Sequence, residues 1–110
     1  MGTEKLFKFE VFEVVSISKP KYYRSEFTVI IQGSLRDLEL EVTKEDLEYF
    51  LRSKNPGDLF GKYVTVCTDL KKGTKELVYV SDMLGNAVQG AHEEAKSMEL
   101  QEDQFELEVI

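Results

Sequence analysis

Two short stretches of this 110-residue sequence combine basic side chains with aromatic rings. The first spans residues 18–25 (SKPKYYRS) and contains Lys19, Lys21, Tyr22, Tyr23 and Arg24. The second spans residues 69–75 (DLKKGTK) and contains Lys71, Lys72 and Lys75, with Tyr63 and Tyr79 on either side of it. Cations neutralise phosphates and flat rings stack on unpaired bases, which is the mixture that single-strand binding needs. Lysines in loops are also common as ordinary solvated surface, so each stretch alone supports either interpretation.

Residues suited to catalysis or metal binding do not form a motif. His92 is the only histidine and has no cysteine or histidine at ligand spacing. Cys67 lies in a β-branched run, where a buried and inert thiol is expected. Gly57, Gly61 and Gly73 do not match a phosphate-binding loop. The sequence therefore predicts no enzyme, no metal site and no cofactor.

One helix is well marked, over residues 43–57 (TKEDLEYFLRSKNPG). Thr43 is a good N-cap, because its hydroxyl can accept from the backbone N–H of Asp46, whose carboxylate can return the bond. Leu47, Phe50 and Leu51 are spaced to form one buried stripe. The Asn-Pro-Gly sequence at 55–57 is expected to end the helix.

Alternating patterns predict three strands before this helix and two after it. The first, over residues 6–18, changes phase at Phe12 and Val14, which indicates a bulge or a sharp bend with both side chains buried. The second runs from Tyr23 to residue 32, and Tyr23 shares the face of Phe27, so burial is the alternative for that ring. The third covers residues 38–42. The last two cover residues 63–68 and 76–82, and Val78 is expected to point inward with Val64, Val66 and Val80.

The acidic residues are concentrated at one end of the chain. Of the formal net charge of −7, residues 1–90 carry −1 and residues 91–110 carry −6. We therefore divide the chain into a small β-domain (1–90) and an acidic C-terminal tail (91–110). An ordered alternative stays open for the tail: residues 91–101 as a short helix, followed by a sixth strand in which Phe105, Leu107 and Val109 alternate with glutamates.

Length and composition favour a single globular domain. No stretch approaches the roughly 18 apolar residues that a membrane span needs, and the first ten residues lack the features of a signal peptide. The single cysteine cannot form an internal disulfide, which favours a reducing, cytoplasmic setting.

A β-β-β-α-β-β order with a long bent first strand resembles the OB-fold, a small five-stranded Greek-key barrel in which the helix closes one end. A β-grasp or another small β-roll would produce a similar pattern. The resemblance implies that nucleic acid binds on strands two and three and on the loops at 18–25 and 69–75. Those are the two loops that hold the basic residues.

The acidic tail also resembles the tails of bacterial and phage single-stranded-DNA-binding proteins. Those tails compete with DNA for the basic groove and bind partner proteins through a terminal hydrophobic residue. In this chain the resemblance would assign partner binding to Phe105, Leu107, Val109 and Ile110. The tail lacks the usual Gly/Pro/Gln-rich linker and ends in alternating residues.

Two functions follow as expectations. The first is a single-stranded nucleic-acid-binding protein, with DNA favoured and a phage or mobile-element origin, whose tail regulates binding or recruits a protein partner. The second is an acidic protein-binding module, an inhibitor or adaptor that imitates a phosphate backbone and binds no nucleic acid itself. Its acidic groups would be Glu39, Glu41, Glu45, Asp46 and Glu48 together with the tail.

Overall fold

Seven β-strands and two α-helices make up the part of the chain that the structure, a computed structural model, describes: residues 4–19, 27–35 and 38–110. The strands are β1 (Phe7–Glu13), β2 (Ser16–Ser18), β3 (Phe27–Gln32), β4 (Glu39–Thr43), β5 (Tyr63–Asp69), β6 (Thr74–Ser81) and β7 (Phe105–Val109). The helices are α1 (Lys44–Leu51) and α2 (Leu84–Ser97), and two 3₁₀ turns cover Pro56–Leu59 and Glu102–Gln104.

The strands form two sheets, one with the order β6-β5-β1-β7 and one with the order β2-β3-β4. β1 and β7 are parallel, whereas the other pairs are antiparallel. The expected mainly β fold is confirmed. The expected small barrel is not closed, because β4 and β6 are not hydrogen-bonded to each other and the strands form two separate sheets. The expectation of one helix is also wrong, because α2 packs on the first sheet.

The phase change in the first predicted strand is where the chain passes from one sheet to the other. Phe12 and Val14 are both buried, as expected. Val14 N donates to Lys62 O on the side of β5, and Val15 N donates to Gln32 O at the end of β3. Consecutive residues thus bond to different sheets, and the predicted strand is divided into β1 and β2.

Most of the hydrophobic core lies between the two sheets. It includes Phe12, Ile31, Val42 and Val64, all at most 2% exposed, and the buried Leu47 of α1. The inward orientation of Val64, Val66 and Val80 agrees with the sequence pattern, but that of Val78 does not.

Val78 differs because β6 contains a bulge. Thr65 of β5 pairs with Tyr79, and the next residue of β5, Val66, pairs with Leu77, so Val78 is left over. A bulge reverses the alternation locally. Leu77 therefore takes the inward position, and Val78 packs in the second core under α2.

The second core lies between α2 and the outer face of the first sheet. Phe9 and Cys67 of the sheet pack here with Ala91 and Ala95 of the helix. Small helix residues allow the backbones to approach, and the buried Thr65 Oγ1 donates to Ala87 O at 2.7 Å. A helix face built from alanine and glycine has little hydrophobic contrast with its other faces, which is why the sequence pattern indicated only the second half of α2, as the open alternative over 91–101.

The capping box of α1 is present as expected. Asp46 N donates to Thr43 Oγ1 at 3.1 Å, and Thr43 N donates to Asp46 Oδ2 at 3.2 Å. The helix ends earlier than expected, at Leu51, because Arg52 has a left-handed backbone conformation (φ 51°) and closes the last turn. Pro56 and Gly57 begin a separate 3₁₀ turn.

Residues 91–110, the expected acidic tail, contain the second half of α2, a 3₁₀ turn and β7. The division at residue 90 falls inside α2. Phe105 and Leu107 pack with the second core, and Ile110 packs with the core between the sheets. This arrangement corresponds to the ordered alternative for the tail.

Truncation after Gly90 tests this structural role. It removes half of α2 and all of β7, and with them Ala91, Ala95, Phe105 and Leu107. We expect a loss of several kcal/mol, comparable to the whole stability of a small domain. Circular dichroism should show that residues 1–90 are unfolded or have a melting temperature far below that of the full chain. A melting temperature within a few degrees of the full chain would contradict the structural role of residues 91–110.

Gly90 is expected to control how closely α2 packs. A Cβ at this position would lie 2.6 Å from Tyr79 Cγ and 3.0 Å from Tyr79 Cβ, so the helix would have to move. Gly90→Ala should therefore lower the free energy of unfolding by about 1–3 kcal/mol, as overpacking does. Gly85→Ala is the matched control, since nothing lies within 4 Å of its new Cβ. It should be neutral or slightly stabilising, and equal thermal melts of the two variants would contradict the close packing.

Candidate binding surfaces

The first basic stretch lies mostly outside the described residues. Lys21, Tyr22, Tyr23 and Arg24 are among residues 20–26, for which nothing is described. Lys19 is described and exposed, immediately after β2.

The second basic stretch is the turn between β5 and β6. Asp69 Oδ1 accepts from the backbone N–H groups of Lys71 and Lys72, each at 3.0 Å, and Gly73 completes the turn with a φ of 71°. Lys71, Lys72 and Lys75 are exposed, and none of them forms an ion pair with another described residue. The turn therefore presents three cations to solvent.

The two basic stretches are attached to opposite ends of the bent β1–β2 path. Leu70 N donates to Leu6 O, which places the β5–β6 turn beside the amino end of β1. Lys19 follows the carboxyl end of β2. Of the first stretch, the described Lys19 thus lies at the opposite end of this path from the β5–β6 turn.

The two flanking tyrosines lie on the face of the first sheet that α2 covers. Strand alternation puts Tyr63 on the same face as Thr65, and Tyr63 is partly buried. The Tyr79 ring contacts Gly90 of α2, which leaves the residue 36% exposed. Tyr63 is thus partly covered, and the Tyr79 ring is covered on the side that faces Gly90.

Cys67 borders a cleft of about 210 Å³ under the end of α2. Three carboxylates line the same cleft, those of Asp69, Glu76 and Glu94. Burial raises the pKa of the Cys67 thiol to about 11, and the nearby negative charges of Glu76, Glu94 and Asp69 contribute. The thiol is free and 7% exposed, so it is unsuited to nucleophilic chemistry at neutral pH.

Thiol labelling tests this environment. Raising the pKa from 9.0 to about 11 lowers the thiolate fraction about a hundredfold at pH 8. Ellman's reagent should label Cys67 at least that much more slowly in the native protein than in the denaturant-unfolded protein. The native rate should rise about tenfold per pH unit between pH 8 and 10. Equal rates in the two states would contradict the buried thiol.

No group of three histidine, cysteine, aspartate or glutamate side chains suited to a metal occurs in residues 4–19, 27–35 and 38–110. His92 is exposed, and its ring lies 6.4 Å from the ring of Phe105, centroid to centroid.

The paired strands β1 and β7 place four charged residues in register. Lys8 pairs with Glu106, and Glu10 pairs with Glu108, so strand alternation puts all four side chains on one face. Lys8 Nζ lies 3.2 Å from Glu108 Oε2. The hydrogen bond with Glu108 raises the pKa of Lys8, and the charges of Glu10, Glu108 and Glu106 add to the rise while burial opposes it. Three carboxylates thus surround one ammonium group, and we call these four residues the β1–β7 acidic face.

A second group of acids lies on β4 and α1. Glu39 and Glu41 are exposed and alternate with the buried Leu40 and Val42. Glu45 and Glu48 of α1 are also exposed. Asp46, which the sequence grouped with them, is partly buried and bonded to the Thr43 backbone, so its carboxylate is used by the helix cap.

The four residues to which the sequence assigned partner binding have different surroundings. Phe105 and Leu107 are partly buried against the second core, and Ile110 is partly buried against the core between the sheets. Val109 is 47% exposed. Three of the four therefore have a packing role, and Val109 is the most accessible side chain among them.

Sequence reasoning did not predict the β1–β7 acidic face. The strict alternation at 105–109 indicated a strand, but it contained nothing about which strand would be its neighbour. A parallel partner requires a long connection, and here α2 is part of it.

Comparison with protein-family models, with curated proteins and with solved structures found no match to this chain. Among the described residues, no helix is both long enough and apolar enough to cross a bilayer.

Proposed function

We propose that this chain is an acidic protein-binding module, an inhibitor or adaptor that covers a cationic surface of another protein. The observation that carries the proposal is the parallel pairing of β7 with β1. It adds Glu106 and Glu108 to Glu10 on one face, where Lys8 forms an ion pair with Glu108. Fixed carboxylates in a regular sheet resemble a row of phosphates in charge and are suited to a basic surface.

Electrostatic interactions of this kind affect the association rate and the choice of partner more than they affect the affinity. Complementary charges raise association rates and disfavour partners of like charge. The net charge of −7 adds a long-range field of the same sign. Binding is expected to weaken as salt rises, since the Debye length falls to roughly 8 Å at physiological ionic strength.

The strand connectivity supports an open OB-like arrangement for the module. If β1 and β2 are counted as one bent strand, the order is β6-β5-β1/β2-β3-β4, and β4 and β6 lie near each other without pairing. In a nucleic-acid-binding OB-fold, the ligand lies on strands two and three, here β3 and β4. The exposed Glu39 and Glu41 of β4 would repel phosphates there, which favours the acidic module over a nucleic-acid-binding protein.

The position of β7 also favours the acidic module. A tail that competes with DNA must be free to reach the basic groove, whereas β7 is paired with β1. The proposed role needs no catalytic residue, metal or cofactor. We place the protein in the cytoplasm, with support from its free, buried cysteine.

Immobilised poly-L-lysine serves as a cationic probe for this proposal. The full chain should bind it at about 50 mM salt and be released as salt rises. The double variant Glu10→Gln/Glu106→Gln should bind several-fold more weakly. The matched control is Glu13→Gln/Glu76→Gln, which changes the net charge equally at exposed sites outside the acidic groups assigned to the module.

Two outcomes would contradict the proposal. Failure of the full chain to bind the probe at low salt would show that it does not recognise a cationic surface. Equal loss in the two double variants would mean that net charge, and not the β1–β7 acidic face, causes the binding.

Single-stranded nucleic-acid binding is the second candidate, and the observation that favours it is the β5–β6 turn with its three exposed lysines. Contacts from these lysines alone would give a slope of log K against log salt of about −2, at about −0.7 per phosphate. Fluorescence titration with a polythymidine strand measures this. The acidic-module proposal expects no binding at about 50 mM salt and micromolar protein, and a salt-dependent complex lost in Lys71→Gln/Lys72→Gln would favour nucleic acid.

A further inference from the structure

Strand β7 has a free edge. It lies at the end of the sheet order β6-β5-β1-β7, and no other described strand pairs with it. Of the other end strands, β2 has three residues, and β4 and β6 lie near each other. β7 is thus an end strand of five residues whose outer edge no described strand covers.

The backbone groups on this edge follow from the hydrogen bonds on the opposite edge. Gln104 O accepts from Leu6 N at 2.7 Å, and Ile110 N donates to Val11 O at 2.9 Å. Groups of alternate residues point to alternate sides of a strand, so the N–H and C=O groups of Leu107 and Val109 point away from β1. Phe105 O accepts from Lys5 Nζ at 3.3 Å. The backbone groups of Leu107 and Val109 therefore remain to bond an added strand.

The side chains beside this edge differ between the two faces of the sheet. One face carries Glu106 and Glu108, both exposed. The other carries Leu107, which is partly buried, and Val109, which is 47% exposed. A strand added here would place alternate residues beside carboxylates and beside apolar side chains.

A second copy of this chain does not fit the edge. In antiparallel pairing of two β7 strands centred on Leu107, Glu106 of each copy would lie opposite Glu108 of the other. Like charges directly opposite each other are destabilising. Charged side chains on edge strands are a common device against such self-pairing. The same charges complement a basic strand.

We propose that the free edge of β7 binds an extended peptide segment of a partner protein in which basic and apolar residues alternate. The segment adds a strand to the sheet through the backbone of Leu107 and Val109. Its basic side chains pair with Glu106 and Glu108, and its apolar side chains cover Leu107 and Val109. This inference rests on the proposed function and specifies the partner segment that the acidic module recognises.

The test uses the full chain and a blocked peptide of alternating lysine and valine, about eight residues long. Isothermal titration should detect binding, and Glu106→Lys should weaken it. Glu93→Lys on α2 is the charge-matched control. A peptide N-methylated on alternate residues keeps the charges but loses backbone donors along one edge. It should bind about fivefold to tenfold more weakly for each hydrogen bond lost.

Leu107→Pro removes the outward N–H of β7 without removing a hydrogen bond to β1. It should weaken binding of the unmodified peptide about as much as N-methylation of the peptide does. If this variant fails to fold, hydrogen exchange of the unmodified protein replaces it. The Leu107 and Val109 amides should exchange quickly in the free protein and be protected by the peptide.

Three results would overturn the inference: equal affinity for the N-methylated peptide, equal weakening by the two lysine variants, or unchanged exchange at Leu107 and Val109. If poly-L-lysine still binds under any of these results, the acidic module is retained and strand addition is rejected. If neither probe binds, the proposed function fails as well.

Discussion

Both hydrophobic cores depend on one strand, because β1 is bonded along both edges and buried on both faces. Its edges pair with β5 and β7. Phe9 packs under α2, and Phe12 packs between the two sheets. The chain then crosses to the second sheet within two residues, since Val14 and Val15 bond to different sheets. This crossing ties together the two sheets and α2.

The charges are arranged around this framework. On the edge strand β7, one face carries the glutamates and the other carries the apolar side chains. The ion pair of Lys8 and Glu108 is partly exposed, at 31% and 51% of the two side chains, and pairs of that kind contribute little to stability. The pairing that holds β7 in place is therefore apolar and backbone-mediated, and the carboxylates remain available for a partner.

The sequence could predict what depends on local pattern. The Thr43–Asp46 capping box and the phase change at Phe12 and Val14 are local signals, and both are confirmed. α2 gave no clear signal, because its buried face consists of Ala87, Gly90, Ala91 and Ala95, and small residues are hydrophobic only weakly. The inward position of Leu77 depends on a bulge that only strand pairing reveals.

The candidate site was less accessible to sequence reasoning than the fold. The basic residues are evident in the sequence, but the separation of Lys19 from the β5–β6 turn along the β1–β2 path depends on the strand pairing. The acidic face required knowing that β7 is parallel to β1, and alternation within 105–109 does not specify a neighbour.

The same parallel pairing has a consequence for the order of folding. Phe7 aligns with Phe105, so the central strand receives its neighbour β7 only after the 97 residues between them have been synthesised. Contacts between residues so distant in sequence close slowly. Until then, β1 is itself an open edge with Phe9 incompletely covered, in a nascent chain that already contains the six described strands that precede β7. The interval between completion of β6 and docking of β7 is therefore the period in which this chain is most exposed to pairing with the wrong strand.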